Sequence, residues 1–192
     1  MIVGITGSIA SGKSLVTSYL AEKGYQIIDS DVIARAQLQK PEVITKLRAA
    51  FGKEIIQDEQ INRRVLGKII FQDEQKRQIL NQILHPLIIQ EIKHLIKDAK
   101  ELVFVDVPLL YEAKMEALFD KIIVVWINRD QQLKRLMKRD RISEAYALLK
   151  INSQDDLESK KARADFVIDN NGRPTHTQFQ VEQILRRLKN EN

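Results

Sequence analysis

Gly7-Ser8-Ile9-Ala10-Ser11-Gly12-Lys13-Ser14 follows directly on the apolar run Met1-Ile2-Val3-Gly4-Ile5 and precedes a helical pattern that begins at Leu15. Two glycines with four residues between them, then a lysine and a hydroxyl residue, form a phosphate-binding P-loop in the strand-then-helix setting it requires. Gly7 and Gly12 let the loop wrap its backbone N–H groups round a polyphosphate. Lys13 bridges the outer phosphates, and Ser14 offers its hydroxyl to Mg²⁺. The helix N-terminus at Leu15 adds the positive end of its dipole. Residues 7–15, with Ser8, Ile9, Ala10 and Ser11 between the glycines, are therefore the expected nucleotide contact.

Working outward from the loop, apolar and β-branched runs recur at residues 2–5, 25–28, 102–107, 122–127 and 166–168, separated by helical patterns. Runs of this kind fill a parallel sheet buried on both faces. The expected fold is α/β, a three-layer α/β/α sandwich of P-loop NTPase type with a five-stranded parallel sheet. Ligands in such sheets sit beyond the carboxyl ends of the strands. Those positions hold Asp29-Ser30-Asp31, Asp106 with Pro108, Asn128-Arg129 and Asp169-Asn170-Asn171-Gly172.

The roughly 70 residues at 30–101 far exceed an ordinary crossover and read as a helical insertion. Pro41 opens a helix that Gly52 closes, Asn62 caps a second, and Asp73 leads a third towards Leu84. His85-Pro86 is read as a break before a last helix over 87–97. The nucleotide-binding core is then 1–29 with 102–192. A stretch dense in Lys and Arg, residues 129–164, reads either as a mobile helical lid or as a solvated helix face. In it Arg135 and Arg139 stand four residues apart, so they share one helix face and point two guanidinium forks in one direction, a spacing suited to a phosphate chain. The terminal helix, from Thr175 to about Lys189, carries an apolar stripe of Phe179, Val181, Ile184, Leu185 and Leu188 that is expected to cover the sheet.

Composition narrows the classes. With 192 residues, 44% of them hydrophobic, the chain can build one sizeable core. It has no cysteine, which excludes a disulfide frame, a thiol nucleophile and cysteine-based zinc sites. No basic flank of a secretory signal precedes the first apolar run, and no stretch approaches the ~20 apolar residues of a membrane span, so a cytoplasmic protein without membrane partners is expected. The net charge of +5 suits nucleic acid and an anionic small substrate equally.

Two carboxylates stand just past the second strand. If the chain stays extended there, Asp29 and Asp31 face opposite ways and have separate duties. A carboxylate beside a phosphate acceptor orients the attacking hydroxyl and takes its proton; the other reading is a helix cap. Next to a P-loop, Asp31 is favoured for the chemistry. Asp106, closing Val103-Phe104-Val105-Asp106, stands where a carboxylate holds the hydration shell of magnesium.

Taken in order and spacing, these blocks resemble the bacterial dephospho-coenzyme A kinases across nearly the whole chain. The resemblance is carried by Gly7 to Ser14, by Asp29-Ser30-Asp31-Val32-Ile33-Ala34-Arg35, by Asn62-Arg63, and by Leu80-Asn81 with His85-Pro86. It continues through Asp106-Val107-Pro108-Leu109-Leu110-Tyr111-Glu112, Arg135, Arg139-Asp140 and Gln154, and ends in Asp165 with Ile168-Asp169-Asn170-Asn171-Gly172. It implies transfer of the γ-phosphoryl of ATP, with Mg²⁺, to the ribose 3′-hydroxyl of dephospho-CoA. Asp31 would be the base, Lys13 and Ser14 would serve the phosphates and metal, and Arg135 and Arg139 would come from the lid. The insertion would hold the CoA moiety through Arg35, Arg63 and His85, with Pro108 and Leu109 as further substrate contacts. Asn170, Asn171 and Gly172 would lie along the adenine. By residue type alone, His85 before a proline is more often a packed turn residue, and Arg35 and Arg63 are equally members of surface ion pairs.

The chain departs from that pattern at Ser8 and Ala10, where glycine is common, at Ser30, where alanine is usual, and at Lys150, where arginine is usual. Alanine at position 10 calls for a negative φ more strictly than glycine does, and Lys150 lacks a planar fork. One rival is another P-loop small-molecule or nucleoside monophosphate kinase; the long insertion favours an extended acceptor. The other is a non-catalytic nucleotide-dependent protein that binds nucleic acid. That would call for aromatics among the basic residues, whereas the six Phe, four Tyr and one Trp sit largely in apolar runs. The partners expected are thus ATP and dephospho-CoA, with no nucleic acid and a monomer or weak homo-oligomer.

Overall fold

The computed structural model describes residues 1–99 and 101–191. In chain order its elements are β1 (Ile2–Gly7), α1 (Lys13–Glu22), β2 (Gln26–Asp29), α2 (Ser30–Gln37), α3 (Pro41–Phe51), β3 (Ile56–Gln57), β4 (Gln60–Ile61), α4 (Arg63–Gln72) and α5 (Glu74–Ile96). They continue with β5 (Val103–Asp106), β6 (Lys121–Trp126), α6 (Arg129–Asp140), α7 (Glu144–Asn152), α8 (Leu157–Ala162), β7 (Phe166–Asp169) and α9 (Pro174–Asn190). They form two compact units: Met1–Ile28 with Asp98–Asn192, and Asp29–Lys97.

The first unit is built on the five-stranded sheet, in the order β2-β5-β1-β6-β7. β1 runs parallel to β5, with Ile5 level with Asp106, and parallel to β6, with Gly7 level with Val125. β7 continues the parallel register, Val125 level with Ile168. The chain leaves β1 for one side of the sheet and later returns to the other, so the strand order reverses at β1. The crevice beyond its carboxyl end is where such a sheet binds ligands, and the P-loop emerges there.

Successive side chains on a strand point to opposite faces, and here both faces are covered. Val3, Ile5, Phe104, Ile123, Val125 and Ile168 form one core with Val16 and Leu20 of α1 and with Val181, Ile184, Leu185 and Leu188 of α9. Burying each such aliphatic side chain contributes roughly 1.5–3 kcal/mol. On the other face Gly4 leaves room for Leu110 and Phe119, whose atoms would stand 2.8 and 2.9 Å from a Cβ there. The terminal stripe was expected whole, but Phe179 is 59% exposed. It lies at the flank of the stripe, two residues before Val181, and only the other four reach the core.

The second unit packs α2, α3 and α4 against α5. Gly52 closes α3 with φ 88, Asn62 caps α4 by accepting from Val65 N at 3.2 Å, and Asp73 caps α5 by accepting from Lys76 N at 3.1 Å. Two expectations fail. A two-stranded hairpin, β3–β4, stands between α3 and α4, turned by Asp58 and Glu59 at φ 50 and 62. Left-handed pairs belong to tight hairpins, but residues 58–59 are Asp-Glu rather than the Asn-Gly or Asp-Gly that marks one. The break at His85-Pro86 is also absent: α5 is one helix with Pro86 inside it. Proline lacks the N–H that would reach back one turn and its ring crowds that carbonyl. Buried Leu80, Leu84, Ile88 and Ile92 anchor the helix on both sides of it. Pro86, which is exposed, is thus tolerated at a cost. Pro86→Ala should stabilise the protein by about 1–3 kcal/mol in urea unfolding.

Candidate active site

The P-loop closes on itself through Ser11 N, which donates to Ser8 O at 3.0 Å. Gly12 opens α1 at φ 90 with no side chain capping the helix. The first-turn amides, including those of Lys13 and Ser14, are thereby left to an anion rather than to a cap. A side chain at Gly12 would require an unfavourable φ and would overlap Asn170 Nδ2. Ala10 overturns the expectation of a negative φ: it adopts φ 60. The left-handed region costs an L-residue roughly 1–2 kcal/mol, so the corner must be held by its surroundings.

Several elements hold the loop. From the turn after β7, buried Asn170 donates through Nδ2 to Ser11 O at 2.8 Å and accepts from Thr177 Oγ1 at 2.8 Å. From α6, Arg135 donates to Asn170 O at 2.9 Å, and its Nη1 would lie 3.7 Å from a Cβ at Gly12. Also from α6, Gln132 Nε2 donates to Ile9 O at 2.8 Å, while Gln154, between α7 and α8, accepts from Ile9 N at 2.7 Å. Leu136, Ala147 and Ile151 form a small apolar cluster against which Ile9 and Ala10 pack.

Lys13 forms an ion pair with Asp106 at the end of β5. Ser14 is exposed in the first turn of α1. Beyond Asp106, the carbonyl of Pro108 accepts from Thr6 Oγ1 at 3.1 Å and from Lys160 Nζ at 3.4 Å. Lys160, 1% exposed, also pairs with Glu112 Oε1 at 2.7 Å. Breaking one partner of a buried pair leaves the other charge uncompensated, so this lysine fixes the 106–112 segment firmly.

The two lid arginines do not point in one direction. Arg135 faces the P-loop, but exposed Arg139 turns onto its neighbour Asp140, with Nε 2.8 Å from Oδ1. Lys150 reaches the same carboxylate at 2.6 Å. Hydrogen bonds from Arg139 and then Lys150 hold the Asp140 carboxyl at about 2, against an ordinary value of 3.8. Four-residue spacing set a shared face, while an adjacent acid decided where one fork went.

Asn170 and Asn171 lie beside the loop, but their side chains are taken up within the protein. Asn171 donates to Asp169 Oδ1 at 2.6 Å and accepts from Asn128 N at 3.0 Å. What this turn, including exposed Gly172, offers a ligand is mainly backbone.

In the second unit, the chain does not stay extended after β2. Asp29 is the cap of α2, its Oδ1 accepting from Asp31 N at 2.7 Å and Val32 N at 3.2 Å. The capping reading therefore belongs to Asp29, and Asp31 stands exposed in the first turn. Arg35 on α2 and Arg63 at the start of α4 are exposed, and His85 is half-buried on α5. Burial pushes the His85 imidazole below its usual value of 6.5, which keeps the ring neutral at physiological pH. A neutral ring offers a hydrogen bond rather than a charge.

Gln132, Thr177, Lys160 and Glu112 are the contributors to which sequence reading assigned no role. Each acts through a contact more than six residues away, and nothing local distinguishes them from ordinary helix or loop polar residues.

A parallel sheet with a P-loop at its switch point, and arginine and lysine side chains at the same edge, defines a P-loop kinase. At the level of fold, a shikimate kinase from Acinetobacter baumannii superposes with a TM-score of 0.58 at 16% identity, covering 100% of this chain and 94% of that one. Closer likeness narrows the class. A dephospho-CoA kinase from Campylobacter jejuni superposes with a TM-score of 0.74 at 29% identity, covering 100% and 98% of the two chains. The dephospho-CoA kinase family model matches residues 1–175. Dephospho-CoA kinases from Listeria innocua and Oceanobacillus iheyensis are 41% and 44% identical over 98% and 97% of this chain, and 97% of each relative. The chain belongs to the dephospho-CoA kinase family, whose members are ATP-dependent phosphotransferases.

The role of Asn170 is separable from any contact with ATP. Asn170→Ala leaves Ser11 O and Thr177 Oγ1 without their partner, and should lower stability by roughly 1–3 kcal/mol in thermal or urea unfolding without nucleotide.

Proposed function

We propose that this chain transfers the γ-phosphoryl of ATP to the ribose 3′-hydroxyl of dephospho-CoA with Asp31 as the base, Lys13 and Arg139 on the transferring group, and Mg²⁺ on Ser14 and Asp106. The observation that carries the phosphate side is the uncapped N-terminus of α1 at the end of the P-loop, with Lys13 in its first turn and Arg135 beside Gly12. For the acceptor side, Asp29 takes the cap, which leaves Asp31 as the exposed carboxylate directly after β2.

The donor set fits magnesium. Among the described residues no group of three or more His, Asp or Glu could hold a metal by itself. Mg²⁺ in kinases relies on one or two carboxylates together with substrate phosphates and water, and a P-loop serine with Asp106 supplies that minimum. When bound, the ion neutralises charge developing on the phosphates. Lys13 and Asp106 pair with each other, so polyphosphate competes with Asp106 for the ammonium. When Mg²⁺ is bound, Asp106 would be one of the residues that hold it, with Lys13 on the phosphates. The ion pair keeps a lysine and a carboxylate poised at the strand ends without either being buried unpaired.

Transfer itself is mainly positioning and charge stabilisation, because the phosphoryl group is loosely bound to both oxygens in its transition state. Arg139 reaches it only by exchanging Asp140 for phosphate. That exchange costs little, since exposed pairs contribute about 0–1 kcal/mol and Lys150 remains on Asp140. Arg35, Arg63, Pro108 and Leu109 are assigned to the acceptor, with neutral His85 as a hydrogen-bonding member. Asn170, Asn171 and Gly172 bring the backbone of their turn to the adenine. No helix among the described residues is long and apolar enough to cross a membrane, which suits the cytoplasmic location of a soluble biosynthetic step.

Asp31→Asn should lower kcat at least 100-fold with dephospho-CoA while changing MgATP affinity less than threefold, measured by turnover and by equilibrium titration. Turnover within tenfold of the unaltered protein would remove Asp31 as the base. Lys13→Ala should weaken MgATP binding and turnover together, by tenfold or more each.

A further inference from the structure

Both backbone polar groups of Ile9, which lie in the peptide planes on either side of its Cα, are gripped. Gln132 donates to its carbonyl at 2.8 Å and Gln154 accepts from its N–H at 2.7 Å. Gln132 is 3% exposed. The next residue is Ala10, at φ 60, and both Ile9 and Ala10 also rest on the apolar cluster formed by α6 and α7. An alanine in the left-handed region relaxes to negative φ unless its neighbouring peptide planes are fixed. Gln132 fixes the Ile9–Ala10 plane and Gln154 the Ser8–Ile9 plane before it; both come from residues 129–164, the stretch that also delivers Arg135 to the loop.

We infer that Gln132 and Gln154 are positioning residues for the nucleotide site: they clamp the two successive peptide planes around Ile9, force Ala10 into the conformation a glycine would adopt unaided, and so shape the P-loop for phosphate. The inference rests on the P-loop being the ATP site of this kinase. It assigns to the Lys- and Arg-rich stretch a second duty, holding the loop in shape as well as supplying cations. It also explains how alanine is accommodated at position 10. Neither glutamine needs to touch ATP, and neither is required by the chemistry of transfer.

The test is MgATP affinity by calorimetric titration, with turnover of dephospho-CoA measured in parallel. Gln132→Met and Gln154→Met keep volume and remove the hydrogen bond. Each should weaken MgATP binding about fivefold. The double variant should fall short of the product of the two losses, because both hold the backbone of one residue. Ala10→Gly supplies the decisive comparison. In either glutamine-to-methionine background it should recover affinity to within about twofold of Ala10→Gly alone, since glycine holds that φ without a clamp. Unchanged affinity in both single variants, or a loss that Ala10→Gly fails to recover, overturns the inference. A loss without recovery would mean the glutamines act only by packing residues 129–164. Should buried Gln132→Met fail to fold, half-buried Gln154 and its Ala10→Gly comparison decide alone. Failure of the acceptor assignment is distinguishable: the unaltered protein would bind MgATP and leave dephospho-CoA unphosphorylated, with the affinity comparisons unaffected.

Discussion

A phosphate cradle must keep its backbone amides bare, so it cannot stabilise its own shape with the hydrogen bonds that ordinary loops use. Everything around the P-loop of this protein answers that constraint. Inside the loop, Ser11 N to Ser8 O is a local turn bond, and α1 opens without a side-chain cap. The remaining support is brought from far along the chain: Asn170 to the Ser11 carbonyl, Gln132 and Gln154 to the carbonyl and N–H of Ile9, Arg135 to the turn that carries Asn170. Each support takes a carbonyl or an N–H that the phosphates do not need. These bonds are made with no ligand in place, and a loop shaped in advance lowers the ordering cost of binding.

The same division runs through the charges. Pairs that are mostly buried hold architecture, as Lys160 does for Glu112 and the Pro108 carbonyl. Exposed pairs are exchangeable: Arg139 with Asp140 is worth on the order of a hydrogen bond or less in water. Lys13 with Asp106 stands between, with 17% and 10% of the side chains exposed. It is shielded enough to be a defined contact, and close enough to the strand ends for a polyanion to compete for it. A protein that used its buried lysine for substrate and its exposed arginine for scaffolding would have these energies reversed.

Sheet, helix ends and P-loop were legible because local chemistry dictates them. Five apolar runs became the five strands of the parallel sheet, and Gly52, Asn62 and Asp73 stand at the helix ends where glycine's φ and side-chain acceptors belong. What local chemistry dictates only weakly was misread. Proline breaks isolated helices, but α5 has a buried residue on either side of Pro86 every four positions, and tertiary packing outweighed the lost hydrogen bond. Arg135 and Arg139 share a face by spacing, yet Asp140 redirects one of them.

Ala10 shows most plainly where sequence reading stops. Its side chain argues for a negative φ, and an isolated octapeptide of this sequence would obey. The positive φ is imposed by residues more than a hundred positions away, and their type, glutamine, carries no mark of that duty. Asn170 is similar: the motif that contains it suggests a ligand contact, whereas its amide is spent on Ser11 and Thr177. Motif residues of a phosphate site are thus of two kinds, those that meet the ligand and those that hold the loop that meets it. Only three-dimensional accounting of each donor and acceptor tells them apart.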